Sequence, residues 1–358
     1  MLRVGVAGLG RGGSYFGLFN SREDTRITAV CDVQEEVRSH WAGQLGAASY
    51  ATFDALCNAE VDAVVVATPP MLHAQHCIQA MEAGKDVLSE VPAVWTLDEA
   101  KQLVEAVRRT GRQYMFAENM CYFHYLRVME RLVREGRIGE LTYAEAEYIH
   151  DLRGLLDRPD GLGGGIEGRP SWRVAMPPIY YCTHDLGPVL MMMEDRVVSA
   201  TGLHTGSRVA PELGSLDMEV GLFRTAKGNV VKILCGFTVE RPGFHWISLY
   251  GTRGSLEMDR FAPYDRLKAF YSTGPGQQEE QEIAVSMSDP AAPPEATAGG
   301  HGTSEYYMID DFVRCIREGS KPTFDVYDGL DFSLPGLCAH ESAQRGGEVV
   351  PVPDPREW

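Results

Sequence analysis

Positive charge is scarce in this chain: 33 lysines and arginines stand against 50 aspartates and glutamates, for a formal net charge of −17. Nucleic acid and anionic membrane surfaces bind through clustered Lys and Arg, so neither is expected as a partner. The acidity reads instead as solubility. Paired cysteine spacings are missing as well. The eight cysteines, at positions 31, 57, 77, 121, 182, 235, 315 and 338, form no C-x-x-C, and most sit in apolar stretches. That argues against a zinc or disulfide framework and suits reduced core thiols in the cytoplasm. No H-E-x-x-H or H-x-x-x-H falls on a plausible helix, and the pair His73 and His76 belongs to another segment, so no catalytic metal is expected. No apolar run reaches the roughly 18 residues that span a bilayer. The first strand begins at the N-terminus and leaves no room for a secretory leader, so a cytoplasmic location is expected. Internal repeats and coiled-coil heptads are also lacking.

What is present is a dinucleotide signature. Arg3-Val4-Gly5-Val6-Ala7 reads as a buried strand that runs directly into Gly8-Leu9-Gly10-Arg11-Gly12-Gly13, and residues 14–19 read as the start of a helix. The G-x-G-x-x-G spacing in strand–turn–helix context is informative where the motif alone is weak. Gly8 permits the tight turn, Gly10 lets a pyrophosphate approach the backbone, and Gly13 is expected to let helix and strand pack closely. The helix N-terminus offers N–H groups to phosphate. Asp32 closes the second strand, 19 residues after Gly13. It suits the adenosine ribose hydroxyls and would repel a 2′-phosphate. Val33 and Gln34 follow it, with no arginine, so NAD is favoured over NADP.

The first 120 residues alternate strand and helix, as a doubly wound parallel sheet requires. Residues 61–67 are a continuous apolar strand ending in Thr68-Pro69-Pro70, and Asp86-Val87-Leu88-Ser89 leads into Glu90-Val91-Pro92. Thr96-Leu97-Asp98-Glu99 is a capping box for a helix closed by Gly111. After Asn119 the pattern changes. Beyond a helix at 122–134, the segments 141–149, 197–205, 218–223, 230–239 and 246–250 look like antiparallel strands with one face exposed. Two domains are therefore expected, 1–120 binding NAD and 121–358 binding substrate. The second is α+β, with a large, mostly antiparallel sheet whose exposed face would suit a homodimer or homotetramer. The stretches 157–170 and 286–300 read as mobile loops able to form a lid, and the proline-rich tail as an extended strand end or arm.

Together the fingerprint, Ala67-Thr68-Pro69-Pro70 with His73, Ala83-Gly84-Lys85-Asp86-Val87 and Glu90-x-Pro92 resemble the glucose–fructose oxidoreductase / inositol dehydrogenase (Gfo/Idh/MocA) family over nearly the whole chain. The resemblance implies an N-terminal Rossmann fold, NAD, a sugar substrate and a Thr-Pro segment along the cofactor. The family's Glu-Lys-Pro lysine sits near the nicotinamide and the reacting hydroxyl. This chain has Val91 there, and an apolar side chain cannot polarise a hydroxyl. A narrower resemblance speaks to that departure. Glu90-Val91-Pro92-Ala93, Ala117-Glu118-Asn119-Met120-Cys121-Tyr122, Glu145-Ala146-Glu147-Tyr148-Ile149-His150-Asp151-Leu152-Arg153, Trp172-Arg173, Tyr181-Cys182-Thr183-His184-Asp185-Leu186-Gly187-Pro188 and Gly300-His301-Gly302 are similar to the NAD-dependent α-N-acetylgalactosaminidases of the family. Those enzymes imply a redox-neutral cleavage: oxidation at C3, loss of the C2 proton, departure of the C1 substituent, addition of water and return of the hydride. The stretch 331–336 and the residues after Gly302 do not look like them.

The catalytic candidates follow from these matches. His184, near the start of a helix, is expected to take a proton from a sugar hydroxyl, the alternative being a packing histidine beside Asp185. Tyr181, three residues earlier, is either the C2 base or the base at the C3 hydroxyl, or else a buried aromatic. His301 between two glycines suits a cleft or a loop, and Glu145 rests on the motif match alone, sharing its strand face with Glu147. His245, before a hairpin turn at 251–254, is a weaker candidate. Cofactor contacts are expected at Gly8, Leu9, Gly10, Arg11, Gly13, Asp32, Thr68, Pro69, His73, Glu90, Asn119, Trp172 and Arg173. Three functions stay open: a net sugar oxidoreductase abstracting hydride from a ring carbon, a redox-neutral glycoside hydrolase or eliminase, and a non-catalytic NAD or sugar sensor.

Overall fold

The computed structural model describes residues 1–156 and 171–358, so the glycine-rich stretch expected as a lid at 157–170 lies outside the described residues. The chain divides into two compact units. One comprises Met1–Glu118, Ala292–Leu330 and Pro355–Trp358, the other Asn119–Ala291 and Asp331–Asp354. This differs from the single cut after residue 120 read from the sequence. The return of Ala292–Leu330 to the first unit has local causes. The Phe116 N–H donates to the Phe324 carbonyl (2.9 Å), and Arg22 pairs with Asp310 (2.7 Å).

In the first unit, β1 (Leu2–Ala7), β2 (Thr25–Cys31), β3 (Ala48–Tyr50), β4 (Ala63–Val66), β5 (Asp86–Ser89) and β6 (Tyr114–Phe116) form one parallel sheet in the order β3-β2-β1-β4-β5-β6. Every residue of β4 is buried, which explains its unbroken Ala-Val-Val-Val. Thr96 and Glu99 form the expected capping box of the helix Leu97–Thr110, and Gly111 ends it in the left-handed region (φ 63°). That helix turns Ala100, Leu103, Val104 and Ala106 inward.

The second unit holds β7 (Leu141–Ile149), β8 (Val197–His204), β9 (Met218–Thr225), β10 (Val230–Gly236), β11 (Phe244–Gly251), β12 (Gly254–Met258), β13 (Arg266–Gly274), β14 (Gln277–Ala284) and β15 (Val350–Pro351). They form one sheet in the order β14-β13-β12-β11-β7-β10-β9-β8-β15, antiparallel throughout except for the parallel β7–β10 pair. Its edges are unlike its middle. Strand β14 is Gln-Gln-Glu-Glu-Gln-Glu-Ile-Ala and almost wholly exposed, and β15 is two residues ending in Pro351. On β7 the even-numbered Ala144, Ala146 and Tyr148 are buried, while Tyr143, Glu145 and Glu147 are half-buried on the other face. The helix Thr183–Met193 packs on β7.

Candidate functional site

Gly8 turns the chain at the end of β1 with φ +84°, a conformation that only glycine adopts without strain. A Cβ there would lie 2.2 Å from the Ala67 carbonyl oxygen. The helix then begins at once, at Leu9 rather than near Ser14, because the Gly12 N–H closes its first turn onto the Gly8 carbonyl (2.9 Å). The close helix–strand contact is accordingly made one residue earlier than the motif suggests. A Cβ on Gly12 would meet Val6 Cγ1 at 2.6 Å, whereas one on Gly13 would touch Trp41 at an ordinary 3.7 Å.

Asp32 is fastened to this turn. Its Oδ2 accepts from the Leu9 N–H and its Oδ1 from the Gln34 N–H, both at 2.9 Å. A carboxylate has about four acceptor sites, so capacity remains for ribose hydroxyls. Arg38, on the helix that follows, is turned onto the Val33 carbonyl (3.1 Å). The glycine turn, with its acid at the strand tip, fits NAD.

Beside it, the sequence-expected contacts divide. The Thr68 hydroxyl is bonded to His76 (3.0 Å), and Pro69 leads into the short turn Pro70–Leu72. His73, expected as a cofactor contact, is held on both sides by backbone carbonyls. It is buried, with Nδ1 2.8 Å from the Pro92 carbonyl and Nε2 2.7 Å from that of Thr68, so the ring bridges the two segments that follow β4 and β5. Burial pushes its pKa down, against the pull of those carbonyls.

Arg11 is also turned inward. Its Nε lies 2.8 Å from Glu90 Oε1, one Nη 2.6 Å from Glu305 Oε1, and the other donates to the Tyr15 hydroxyl (2.9 Å). Tyr15 donates in turn to Glu90. The carboxylate of Glu90, 7 % exposed, is thus held inside the unit, and Val91 beside it is buried. Glu305 is fully buried and receives His301 Nδ1–H at 2.8 Å. Burial resists its charge, but the hydrogen bond from His301 and the charge of Arg11 outweigh that and hold its pKa down at about 2. Arg11 and Glu90 therefore meet each other rather than standing free, and His301 belongs to this same network.

A second cluster lies in the second unit, around the Tyr148 ring. Tyr181 is stacked beside it (ring centroids 5.8 Å) and His184 stands edge-on (5.6 Å), the two being 5.6 Å from each other. His245, opposite Tyr148 in the β7–β11 register, stacks on it at 4.6 Å and faces His184 at 5.8 Å. Behind it, the fully buried Asp185 accepts from His245 Nδ1 (3.1 Å), while its Oδ2 meets no hydrogen-bond partner among the described residues. The Tyr148 hydroxyl lies 3.0 Å from His150 Nδ1. Burial and the charge of Arg173 push His150 down to about 4, so it is neutral at pH 7. Arg173 stacks on Trp172 (4.4 Å), and its Nε is buried with no hydrogen-bond partner among the described residues. Asn119 is buried in the turn Asn119–Tyr122.

Glu145 does not join this cluster. It sits on the opposite face of β7 from Tyr148, paired with Lys232 of β10, because side chains alternate along a strand. Strand alternation, applied from the buried Ala144 and Ala146, was the signal that would have selected Tyr148. Glu305, four residues after His301 and so one helical turn on, was legible in the same way. Among the described residues, no group of three His, Cys, Asp or Glu side chains is placed to hold a metal. None of the described helices is long and apolar enough to cross a membrane.

Comparison with known proteins places these clusters in a family. Residues 2–118 match the oxidoreductase family with an NAD-binding Rossmann fold, residues 126–257 the GFO/IDH/MocA C-terminal domain, and residues 212–357 the C-terminal domain of glycosyl hydrolase 109. A glycosyl hydrolase family 109 protein of Solibacter usitatus is 31% identical over 99% of this chain and 88% of its own length. Levoglucosan dehydrogenase, solved with NADH and levoglucosan, shares the fold with a TM-score of 0.80 at 20% identity, over 98% of this chain and 99% of its own. Scyllo-inositol dehydrogenase from Lactobacillus casei, solved with NAD(H) and scyllo-inositol, does so with 0.76 at 18%, over 98% and 99%. The chain belongs to the NAD-binding Gfo/Idh/MocA oxidoreductases and, among them, to glycosyl hydrolase family 109.

Proposed function

We propose that this protein cleaves a glycoside in a redox-neutral cycle, with NAD held in the first unit and recycled in place. The observation that carries the reading is the Tyr148–Tyr181–His184–His245 cluster, together with a buried valine where the family's dehydrogenases have lysine. It offers imidazole and phenol groups for several proton transfers and no lysine, which suits a cycle that must move protons at more than one position.

NAD would be received by the backbone of the Gly8–Gly10 turn, with Asp32 on its adenosine ribose and Thr68 and Pro69 beside it. When bound it supplies reversible two-electron oxidation of a ring carbon, which acidifies the adjacent C–H. His184 accepts the hydroxyl proton of that carbon on an imidazole nitrogen and later returns it. Tyr181, 5.6 Å from His184 by ring centroids, would take the acidified C–H proton on its oxygen after passing its own phenolic proton to an imidazole of the cluster. Tyr148 and His245 wall the ring in, and Trp172 with Arg173 caps the sugar. The protein acts in the cytoplasm, as a homodimer or homotetramer.

The test is isotopic. With an aryl glycoside in D₂O, the C2 proton exchanges and aglycone is released while NADH does not build up. NADH accumulating in step with substrate consumed rejects the cycle and returns the protein to the net dehydrogenases. Turnover that survives His184→Ala unchanged, with NAD still bound, favours a sensor or another base.

A further inference from the structure

His301 lies in a segment that is tied to the coenzyme turn at several independent points. The Glu305 carboxylate accepts His301 Nδ1–H with one oxygen (2.8 Å) and the Gly300 backbone N–H with the other (2.8 Å), while Arg11 of the glycine-rich turn reaches the first oxygen (2.6 Å). The wrap is tight: a Cβ on Gly299 would fall 2.4 Å from Glu305 Oε2 and 2.9 Å from Leu18 Cδ1. The same segment rests on the helical run 9–20, where a Cβ on Gly17 would meet the Ala298 carbonyl oxygen at 3.1 Å and one on Gly300 the Ser14 side chain at 3.6 Å. A buried carboxylate needs its bonds, and here all of them go to this loop and to the turn.

We propose that residues 298–302 form a coenzyme-retaining strap, with Glu305 as its positioning residue and His301 as the group it presents to bound NAD. Glu305 acts through others: it fixes the His301 tautomer by taking the Nδ1 proton's hydrogen bond, and through Arg11 it links the strap to the turn that receives the pyrophosphate. A recycled coenzyme has to stay bound through many turnovers, and the strap supplies that retention. The inference rests on the reading above that NAD binds at the glycine-rich turn.

The experiment uses the full-length holoenzyme loaded with NAD. Its readouts are the NAD dissociation rate, taken by rapid dilution and filtration, and the His301 imidazole nitrogen signals in ¹⁵N NMR. Glu305→Gln keeps the shape but loses the charge that joins His301 to Arg11. It is expected to speed NAD release about tenfold or more and to shift the His301 tautomer signals. Gly299→Ala, which displaces the carboxylate without changing any charge, is expected to speed release in the same direction. Both variants are checked for an intact fold by circular dichroism. Release at the wild-type rate from both folded variants, or unchanged His301 signals in Glu305→Gln, overturns the strap. A wild-type protein that binds no NAD overturns the coenzyme reading itself, a result distinct from a strap that fails in a protein that retains NAD.

Discussion

In the first unit two carboxylates, Glu90 and Glu305, share one guanidinium, Glu305 also takes a histidine, and the whole set is locked by short hydrogen bonds to carboxylate oxygens. In the second, Tyr148, Tyr181, His184 and His245 meet ring to ring, with one buried carboxylate, Asp185, behind them. The first arrangement fixes a shape: Glu305 stays charged at every working pH, since its carboxyl is held at about 2. The second is made of imidazole and phenol side chains, residue types used in general acid–base chemistry. On the proposed reading, one cluster holds the coenzyme turn in place and the other moves protons.

The hardest test of that division is His184→Ala. Turnover should fall about a thousandfold, as for loss of a general acid–base group, while NAD affinity measured by calorimetry stays unchanged. A parallel loss of NAD binding would break the comparison. Gly8→Ala should do the reverse. It forces a non-glycine residue to φ +84° against the Ala67 carbonyl, at a cost of about 3 kcal/mol. Denaturant melts of the variant should show that loss together with weakened NAD binding.

The acid limb separates the clusters further. A carboxyl with a lowered folded pKa contributes stability above its unfolded value, near 4.5, and loses it as pH falls through about 2. Glu305→Gln should therefore be less stable than wild type by about 3 kcal/mol at pH 6, and the gap should close between pH 4.5 and 2 in urea melts. The smallest effect is expected at the far face of β7. Glu145→Gln removes only a half-buried pair with Lys232, so turnover should stay within about twofold and stability within about 1 kcal/mol. A large loss of turnover would restore Glu145 to the site.

The parallel sheet was legible because its strands are short, apolar and punctuated by glycine and capping residues. The Thr96 box and the Gly111 stop are where the sequence put them. Strand β14 and the helix Val326–Gln344 escaped notice for physical reasons. Strand β14 is polar on both faces and so has no alternation. The helix Val326–Gln344 carries Pro335 inside it and lacks a clear apolar stripe. In the clusters, His184 and Tyr181 came from motifs. Tyr148 and Asp185 lay in those motifs without being singled out, and Glu305 lay beyond them, because what singles them out is the face or the turn they share with a neighbour. Arg11 and His73 carried a subtler lesson. Both lie in a cofactor-side stretch, yet their side chains point back into the protein, and no spacing distinguishes a residue that grips a ligand from one that braces its neighbours.

The two ends of the nine-stranded sheet deserve a closing thought. An open edge of backbone donors and acceptors invites another chain to add a strand, the route to fibres. Here Glu279, Glu280 and Glu282 crowd one margin with like charge, and at the other Pro351 withholds a donor from a ladder only two residues long. Both margins are guarded against templated growth, so the protein should tolerate crowded, concentrated conditions without polymerising through its sheet.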